Sequence, residues 1–351
     1  MMMNNLQNTN SSICKISIVI PVFNTEKFLP TCLDSLLNQD LTQDEYEIIC
    51  VDDGSTDSCS SILKKYALDN PCIKVITQKN KGQSAARNVG LYSAVGKYVW
   101  FVDSDDMIDN NSLGFITDIM DENSIDELTV GLDFVPENTT EIPENNGFEY
   151  KPEKKIDLRA TCSGTKVFRR SVIIENGINW RSDLKLSDDV LFIYQFELFS
   201  KKNVYVKSPM YHYRTVANST SHKKCLAVIN KHMYSVKILS GIYVDIRNAP
   251  PYEMSKKQKK ELNYRISLCV QTVLYDSAIK GDKKEQAEFI KEFKEKGLYP
   301  YKPIWINLKP KISLKRSVYD FMMFFFFNES LYKFIGGILR KICIKKNGNI
   351  E

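Results

Sequence analysis

The chain reads as an α/β fold, Rossmann-like, with a mostly parallel central sheet flanked by helices and a helical C-terminal extension. Apolar runs of about five residues alternate with helical stripes from Lys15 to Val102, the pattern of a doubly wound parallel sheet. Acidic clusters stand at the ends of such runs. Asp52-Asp53-Gly54 follows Ile48-Ile49-Cys50-Val51, and Asp103-Ser104-Asp105-Asp106 follows Trp100-Phe101-Val102. A third cluster, Ser187-Asp188-Asp189, precedes Leu191-Phe192. Grouped carboxylates repel one another unless a cation or a donor-rich ligand neutralises them. Ligands of parallel sheets bind beyond the carboxyl ends of the strands. A metal bound with a phosphorylated ligand is the economical expectation.

In order, residues 16–20 form a buried strand ended by Pro21. Residues 27–37 carry Phe28, Leu29, Leu33, Leu36 and Leu37 on one helical face. A second strand covers 46–51, with Asp53-Gly54 as its turn, and a helix covers 58–67. Residues 73–77 give a third strand, 84–95 a helix and 98–102 a fourth strand. Asp52 and Asp103 thereby fall at two strand ends, far apart in sequence and near in space. After Asp106 the pattern thins. Residues 128–135 suit a strand, 136–147 a polar loop, and 163–170 a strand leading to a helix over 171–176 that Gly177 caps. Helix returns over 189–199 and extended chain over 204–206.

From about Lys223 the chain is Lys-rich and helical. An aromatic run over 319–327 leads into an amphipathic basic helix over 329–346. Its stripe is Leu331, Phe334, Ile335, Ile338, Leu339 and Ile342. Such a helix lies in a membrane interface or packs its stripe on the preceding domain. With 351 residues there is room for two domains, and a net charge of +5 does not by itself argue for nucleic acid. Nine cysteines without a C-x-x-C spacing fit free thiols in a reducing cytoplasm. Residues 1–12 are polar, read as a flexible tail, and carry no secretory signal. No stretch reaches the roughly 18–20 apolar residues of a spanning helix. A cytoplasmic protein is expected, with a peripheral contact on the inner face of the membrane through the terminal helix.

Four motifs follow one another on matching elements. They are Ile18-Val19-Ile20-Pro21-Val22-Phe23-Asn24, Val51-Asp52-Asp53-Gly54-Ser55-Thr56-Asp57, Asn80-Lys81-Gly82-Gln83-Ser84-Ala85-Ala86-Arg87-Asn88-Val89-Gly90 and Phe101-Val102-Asp103-Ser104-Asp105-Asp106. Each alone recurs by chance, but in this order they resemble glycosyltransferase family 2 over roughly residues 15–215. The resemblance implies a GT-A fold, a nucleotide-sugar donor, a divalent cation (Mn²⁺ or Mg²⁺) and inversion at the anomeric carbon. It divides the chain into a catalytic domain over 13–222, with a nucleotide-sugar half to residue 106 and an acceptor half beyond, and a helical region over 223–351.

By the same resemblance Asp105 is the metal ligand, and Asp103 faces the ribose or the metal. The pair supplies hard oxygen ligands, which substrate phosphates and water complete; the bland alternative is an exposed acidic turn. Asp52 matches the aspartate that accepts from the base, which suits the imide N–H of uracil or thymine. Asp53 is either a turn residue or a ligand contact, and Gly54 is expected at positive φ. Pro21, Phe23, Asn24 and Ser104 complete the nucleotide pocket. Gly82 lets the backbone approach the nucleotide. Arg87 offers it a charge-assisted donor or pairs with a strand-end carboxylate.

Asp188-Asp189 resembles the family's Glu-Asp pair, with Asp in place of Glu at the first position. Asp189 aligns with the catalytic base and Phe192 with the aromatic that follows. An ionised Asp accepts the acceptor's proton late in the transition state, and both acids also suit a helix start. His212 and Arg214, in Tyr211-His212-Tyr213-Arg214, match the segment over the diphosphate, with Ser219, Ser221 and His222 downstream. Trp180 packs near the acceptor cleft or in the core, and Lys166, Arg169 and Arg170 read as a solvated face. The expected function is transfer of a sugar, from a UDP-sugar, to a lipid-linked or polysaccharide glycan acceptor. The alternative is a catalytically silent nucleotide-sugar-binding or scaffolding subunit. A nucleotidyltransferase would need a Gly-rich, basic loop after the first strand, and an oxidoreductase a G-x-G-x-x-G there; neither is present.

Overall fold

Strands that are apolar on both sides set the architecture of the first part of the chain. The computed structural model describes residues 14–142, 147–153, 162–184, 186–216, 226–280 and 283–298. Strands β1 (Ile16–Val22), β2 (Tyr46–Asp52), β3 (Ile73–Thr77) and β4 (Tyr98–Phe101) lie parallel in the order β3-β2-β1-β4. Successive side chains alternate between two cores. Ile16, Ile18, Ile20, Ile48, Cys50, Tyr98 and Trp100 join one core with Leu33 and Leu36 of α1 (Leu29–Leu37) and Leu63 of α2 (Cys59–Asp69). Val19, Ile49, Val51, Val99 and Phe101 join the other, with Ala86 and Leu91 of α3 (Gln83–Ser93). Burial on both faces is why these strands read as continuous apolar runs.

α3 sits close to the sheet because Gly90 has no side chain. A Cβ there would lie 2.3 Å from Val19 Cγ1. Strand β1 runs through Pro21 rather than stopping at it. Its pairing with β4 ends at Val19, so beyond that point β2 alone pairs with it and a missing N–H is tolerated.

Beyond β4 the sheet becomes mixed and reaches eight strands in the order β3-β2-β1-β4-β7-β6-β8-β5. β7 (Lys166–Arg169) is antiparallel to both β4 and β6 (Glu127–Pro136), and β5 (Met107–Ile108) is antiparallel to β8 (Asn203–Thr215). β8 is far longer than the extended stretch expected over 204–206. It continues through Pro209 because the register with β6 slips between Thr129 and Gly131, a bulge that absorbs the extra residues. A Cβ at Gly131 would lie 2.2 Å from the Lys207 carbonyl oxygen, so this crossing requires glycine.

The expected solvated face at Lys166, Arg169 and Arg170 is corrected. Lys166 is buried inside the sheet, where Nζ is paired with Glu127 and donates to Thr129 Oγ1 at 2.8 Å; Arg169 pairs with Asp126 at 2.9 Å. β7 is an interior strand, so a cation on it is kept only with a partner. α4 (Leu113–Glu122), α5 (Arg170–Glu175) and α6 (Asp188–Phe199) complete this part.

The chain divides into two compact units, one formed by the residues up to Ser182 with Asp188–Ser219, the other by Asp183–Ser187 with the residues from Thr220. The second contains α7 (Leu226–Asn248), α8 (Lys256–Lys280) and α9 (Lys283–Glu295). Its buried side chains include Met233, Leu239, Tyr243, Leu262, Ile266, Val273, Leu274 and Phe293. Lys237 pairs with Glu292 at 2.7 Å between α7 and α9. Among the described residues no helix is long and apolar enough to cross a membrane. The tail over 1–12, the aromatic run, the helix over 329–346 with its membrane contact, and Ser219, Ser221 and His222 lie outside the described residues.

Candidate active site

Parallel register brings the ends of β1, β2 and β4 to one edge, with Val22 beside Asp52 and Val19 beside Phe101. The loops leaving these strands are tied together by their own polar groups. Asn24, in the left-handed region at φ 52°, accepts from Thr56 N at 2.8 Å through Oδ1. Glu26 N donates to Asp57 Oδ2 at 3.0 Å, and Ser58 N to Glu26 Oε2 at 2.8 Å. Asn24 thus fastens the first two strand-end loops to each other. Pro21 is buried beneath them, while the Phe23 ring is 45% exposed. Asp52 is buried, and its Oδ1 accepts from Ser55 N at 2.9 Å. Ser104 is buried too, and its hydroxyl accepts from Thr25 Oγ1 at 3.0 Å.

Asp53 holds the turn that leads into α3. Its Oδ1 accepts from Gln78 Nε2 at 2.6 Å and Lys81 N at 2.8 Å, and Oδ2 accepts from Gly82 N at 2.8 Å. Gly82 itself is at φ 92° and caps α3. Gly54 has φ +74°, and a Cβ there would meet Asn80 N at 3.0 Å, so glycine is required for both conformation and space. Asp53→Ala removes a buried acceptor of three hydrogen bonds whose donors lie on a partly exposed loop, and should cost about 1–2 kcal/mol of stability, read by chemical denaturation.

α3 then presents a polar face to two acidic clusters. Arg87 Nη2 donates to Asp103 Oδ1 at 2.7 Å, with Nη1 3.5 Å from Asp188 Oδ2. From the preceding turn Gln83 Nε2 donates to Asp103 Oδ1 at 3.0 Å and Ser84 Oγ to Asp188 Oδ2 at 2.7 Å. The Arg87 guanidinium lies 4.5 Å from the Trp180 ring centroid. That ring is a core side chain, 4.3 Å from Phe192 and stacked on it. Asn88 holds the Trp180 backbone at both ends, accepting from its N–H at 2.9 Å and donating to its carbonyl at 2.8 Å. Gln83 and Ser84 stand in the third motif but only the fold reveals what they hold.

The second cluster divides its labour. Asp106 is buried and structural: Oδ2 accepts from Tyr211 OH at 2.5 Å and Oδ1 from Arg214 N at 2.8 Å. Asp109 takes the His212 ring nitrogen Nε2, and both side chains are buried. His212 Nε2 is thereby engaged inside the sheet. Position matters here, because β5 and β8 run side by side with Met107 opposite His212. Arg214 Nε donates to the Asp105 carbonyl at 2.8 Å and Nη1 to the Glu137 carbonyl at 3.1 Å, with the Thr139 carbonyl also within reach. Its Nη2 is buried without a partner among the described residues.

Asp105 and Asp189 are the carboxylates of these clusters that no described side chain bonds. Burial, with the nearby Asp103 charge, pushes Asp105 up to about 6. Burial and the adjacent Asp188 push Asp189 up to about 6 against the opposing pull of Arg87. A desolvated carboxyl beside other carboxylates is a group that a cation or a proton would satisfy. Among the described residues no three His, Cys, Asp or Glu side chains gather to hold a metal by themselves. A cation at Asp105 would share its shell with ligand oxygens, as Mg²⁺ and Mn²⁺ do in nucleotide sites, and the donor set fits that use.

Residues 17–177 match the family described as Glycosyl transferase family 2. The poly(ribitol-phosphate) beta-glucosyltransferase of Bacillus spizizenii is 35% identical over 235 residues, covering 65% of this chain and 37% of that protein. The chain therefore spans well under half the length of that relative. The poly(ribitol-phosphate) beta-N-acetylglucosaminyltransferase TarP of Staphylococcus aureus is 31% identical over 254 residues, 70% of this chain and 76% of that protein. The crystal structure of S. aureus TarS 1-349 in complex with UDP-GlcNAc has the same fold, with a TM-score of 0.66 at 21% identity over 95% of this chain and 92% of that one. The fold is GT-A. A likeness of that extent, with the motif residues on the strand ends, places the chain in glycosyltransferase family 2.

Proposed function

We propose that this chain is an inverting, metal-dependent glycosyltransferase that moves a sugar from a UDP-sugar to a hydroxyl of a polysaccharide or polyol-phosphate acceptor in cell-surface glycan synthesis. One observation carries the reading: α3 brings the donor-side carboxylate Asp103 and the base-side pair Asp188-Asp189 onto one guanidinium. The relatives named as poly(ribitol-phosphate) transferases support the acceptor class.

In this mechanism Asp52 accepts from the base N–H, with Pro21 and the exposed Phe23 ring lining the pocket. Asp103 would face the ribose or the cation, and Asp105 would hold the cation together with ligand oxygens. A bound divalent cation would neutralise the charge that develops on the diphosphate. Arg214 fixes the Asp105 backbone and offers Nη2 to the phosphates. Asp189 takes the proton of the acceptor hydroxyl as its oxygen attacks the anomeric carbon. The bond to the diphosphate oxygen breaks in the same step, and its electron pair leaves with the nucleoside diphosphate. A single displacement inverts the centre.

Calorimetric titration of UDP, GDP and TDP, with Mn²⁺ and with EDTA, tests the donor site. Metal-dependent binding of UDP is expected. Absence of binding by all three under both conditions would replace this reading with the scaffolding one.

A further inference from the structure

The contacts of Arg87 go beyond nucleotide binding. Its side chain is 5% exposed and lies between two carboxylates 85 residues apart, Asp103 at the end of β4 and Asp188 at the start of α6. The Trp180 ring beneath it is locked by Phe192 and by both bonds from Asn88, so the guanidinium plane has little freedom. Ser84, one turn earlier on α3, takes the same Asp188 oxygen. Only a planar fork satisfies two separated carboxylates while lying on a ring; a lysine ammonium is a point charge.

Building on the glycosyltransferase reading, we propose that Arg87 is a positioning residue that joins the donor carboxylate Asp103 to the first turn of α6, setting the placement of Asp189 and keeping its carboxylate charged. Among the described residues, the charged and titratable groups that act on Asp189 include Asp188 on α6, Asp103 from the loop after β4, Arg87 from α3, and Cys162, which precedes the 3-10 turn Ser163–Thr165. Burial holds the Cys162 thiol above its ordinary range, so it adds no charge. The two other carboxylates favour the protonated base, and Arg87 is the cation that opposes them.

The sign follows. Without the guanidinium, Asp189 holds its proton to higher pH, and a base that needs ionisation fails at neutral pH while recovering in alkali. The test uses the full chain carrying ¹³C-labelled aspartate, with the Asp189 carboxyl assigned by its loss in Asp189→Asn. Its titration is followed in the parent, Arg87→Gln and Arg87→Lys, alongside kcat and kcat/KM against pH. In Arg87→Gln the Asp189 midpoint should rise by about one unit or more, with the acid limb of kcat/KM moving by the same amount. Arg87→Lys, which keeps the charge and loses the fork, should leave the midpoint within about half a unit yet lower kcat roughly tenfold through misplacement. If Arg87→Gln does not fold, the split between midpoint and kcat in Arg87→Lys decides. An unmoved midpoint in folded Arg87→Gln, or kcat lost equally at every pH, overturns the proposal. A midpoint that moves as expected in a chain with no transfer from any donor supports the Arg87 assignment and removes the transferase reading instead.

Discussion

Asp189→Asn is expected to bind the donor within about twofold of the parent while kcat falls by two to four orders of magnitude, the usual size of a lost general base. Titration calorimetry and a transfer assay on the same preparation separate the two effects. The expectation rests on position: Asp189 opens α6, beside an Asp188 fastened by Ser84 and Arg87. Its pKa near 6 adds a pH dependence. The base works only when ionised, so kcat/KM in the parent should fall about tenfold per unit below about pH 6 and stay flat above. The same shift has a stability sign. The folded carboxyl keeps its proton to higher pH than an unfolded one, so stability declines as pH rises through the window from 3.8 to about 6. Asn removes that burden, and Asp189→Asn should melt at or above the parent temperature at neutral pH. Turnover close to the parent would place the base elsewhere.

Asp105→Ala should abolish the Mn²⁺ dependence of UDP binding and lower affinity in Mn²⁺ by about one to two orders of magnitude. The reason lies in the division within the second cluster. Asp103 Oδ1 is engaged by Arg87 and Gln83, and both Asp106 oxygens by Tyr211 and the Arg214 backbone. No side chain among the described residues donates to the Asp105 carboxylate, which is desolvated beside Asp103. Circular dichroism should show an unchanged fold, because no side chain among the described residues hydrogen-bonds that carboxylate. UDP affinity in Mn²⁺ equal to the parent would remove the metal assignment.

The two cases show where the sequence runs out. Asp103, Asp105 and Asp106 sit in one tetrapeptide and look interchangeable in sequence, yet one meets a guanidinium, one stands unbridged and one bolts β8 to the end of β4. Arg87 was readable as a cation near acidic groups, but its span to Asp188 depends on a partner 101 residues away. His212 stands in a segment that matches a diphosphate-binding one, and its pairing with Asp109 became visible only once β5 lay beside β8. Lys166 looked solvated because a lone lysine usually is, and the insertion of β7 between β4 and β6 buried it.

Local pattern alone determined the parallel half-sheet, its helices and the strand ends where Asp52 and Asp103 stand. Alternation, helical periodicity and turn glycines are properties of neighbours in the chain. The assignment of each carboxylate, cation and histidine to a partner was decided only by the tertiary structure. Those partners come from strands and helices up to a hundred residues distant, and the burial that makes each pairing obligatory exists only once the sheet has closed over them.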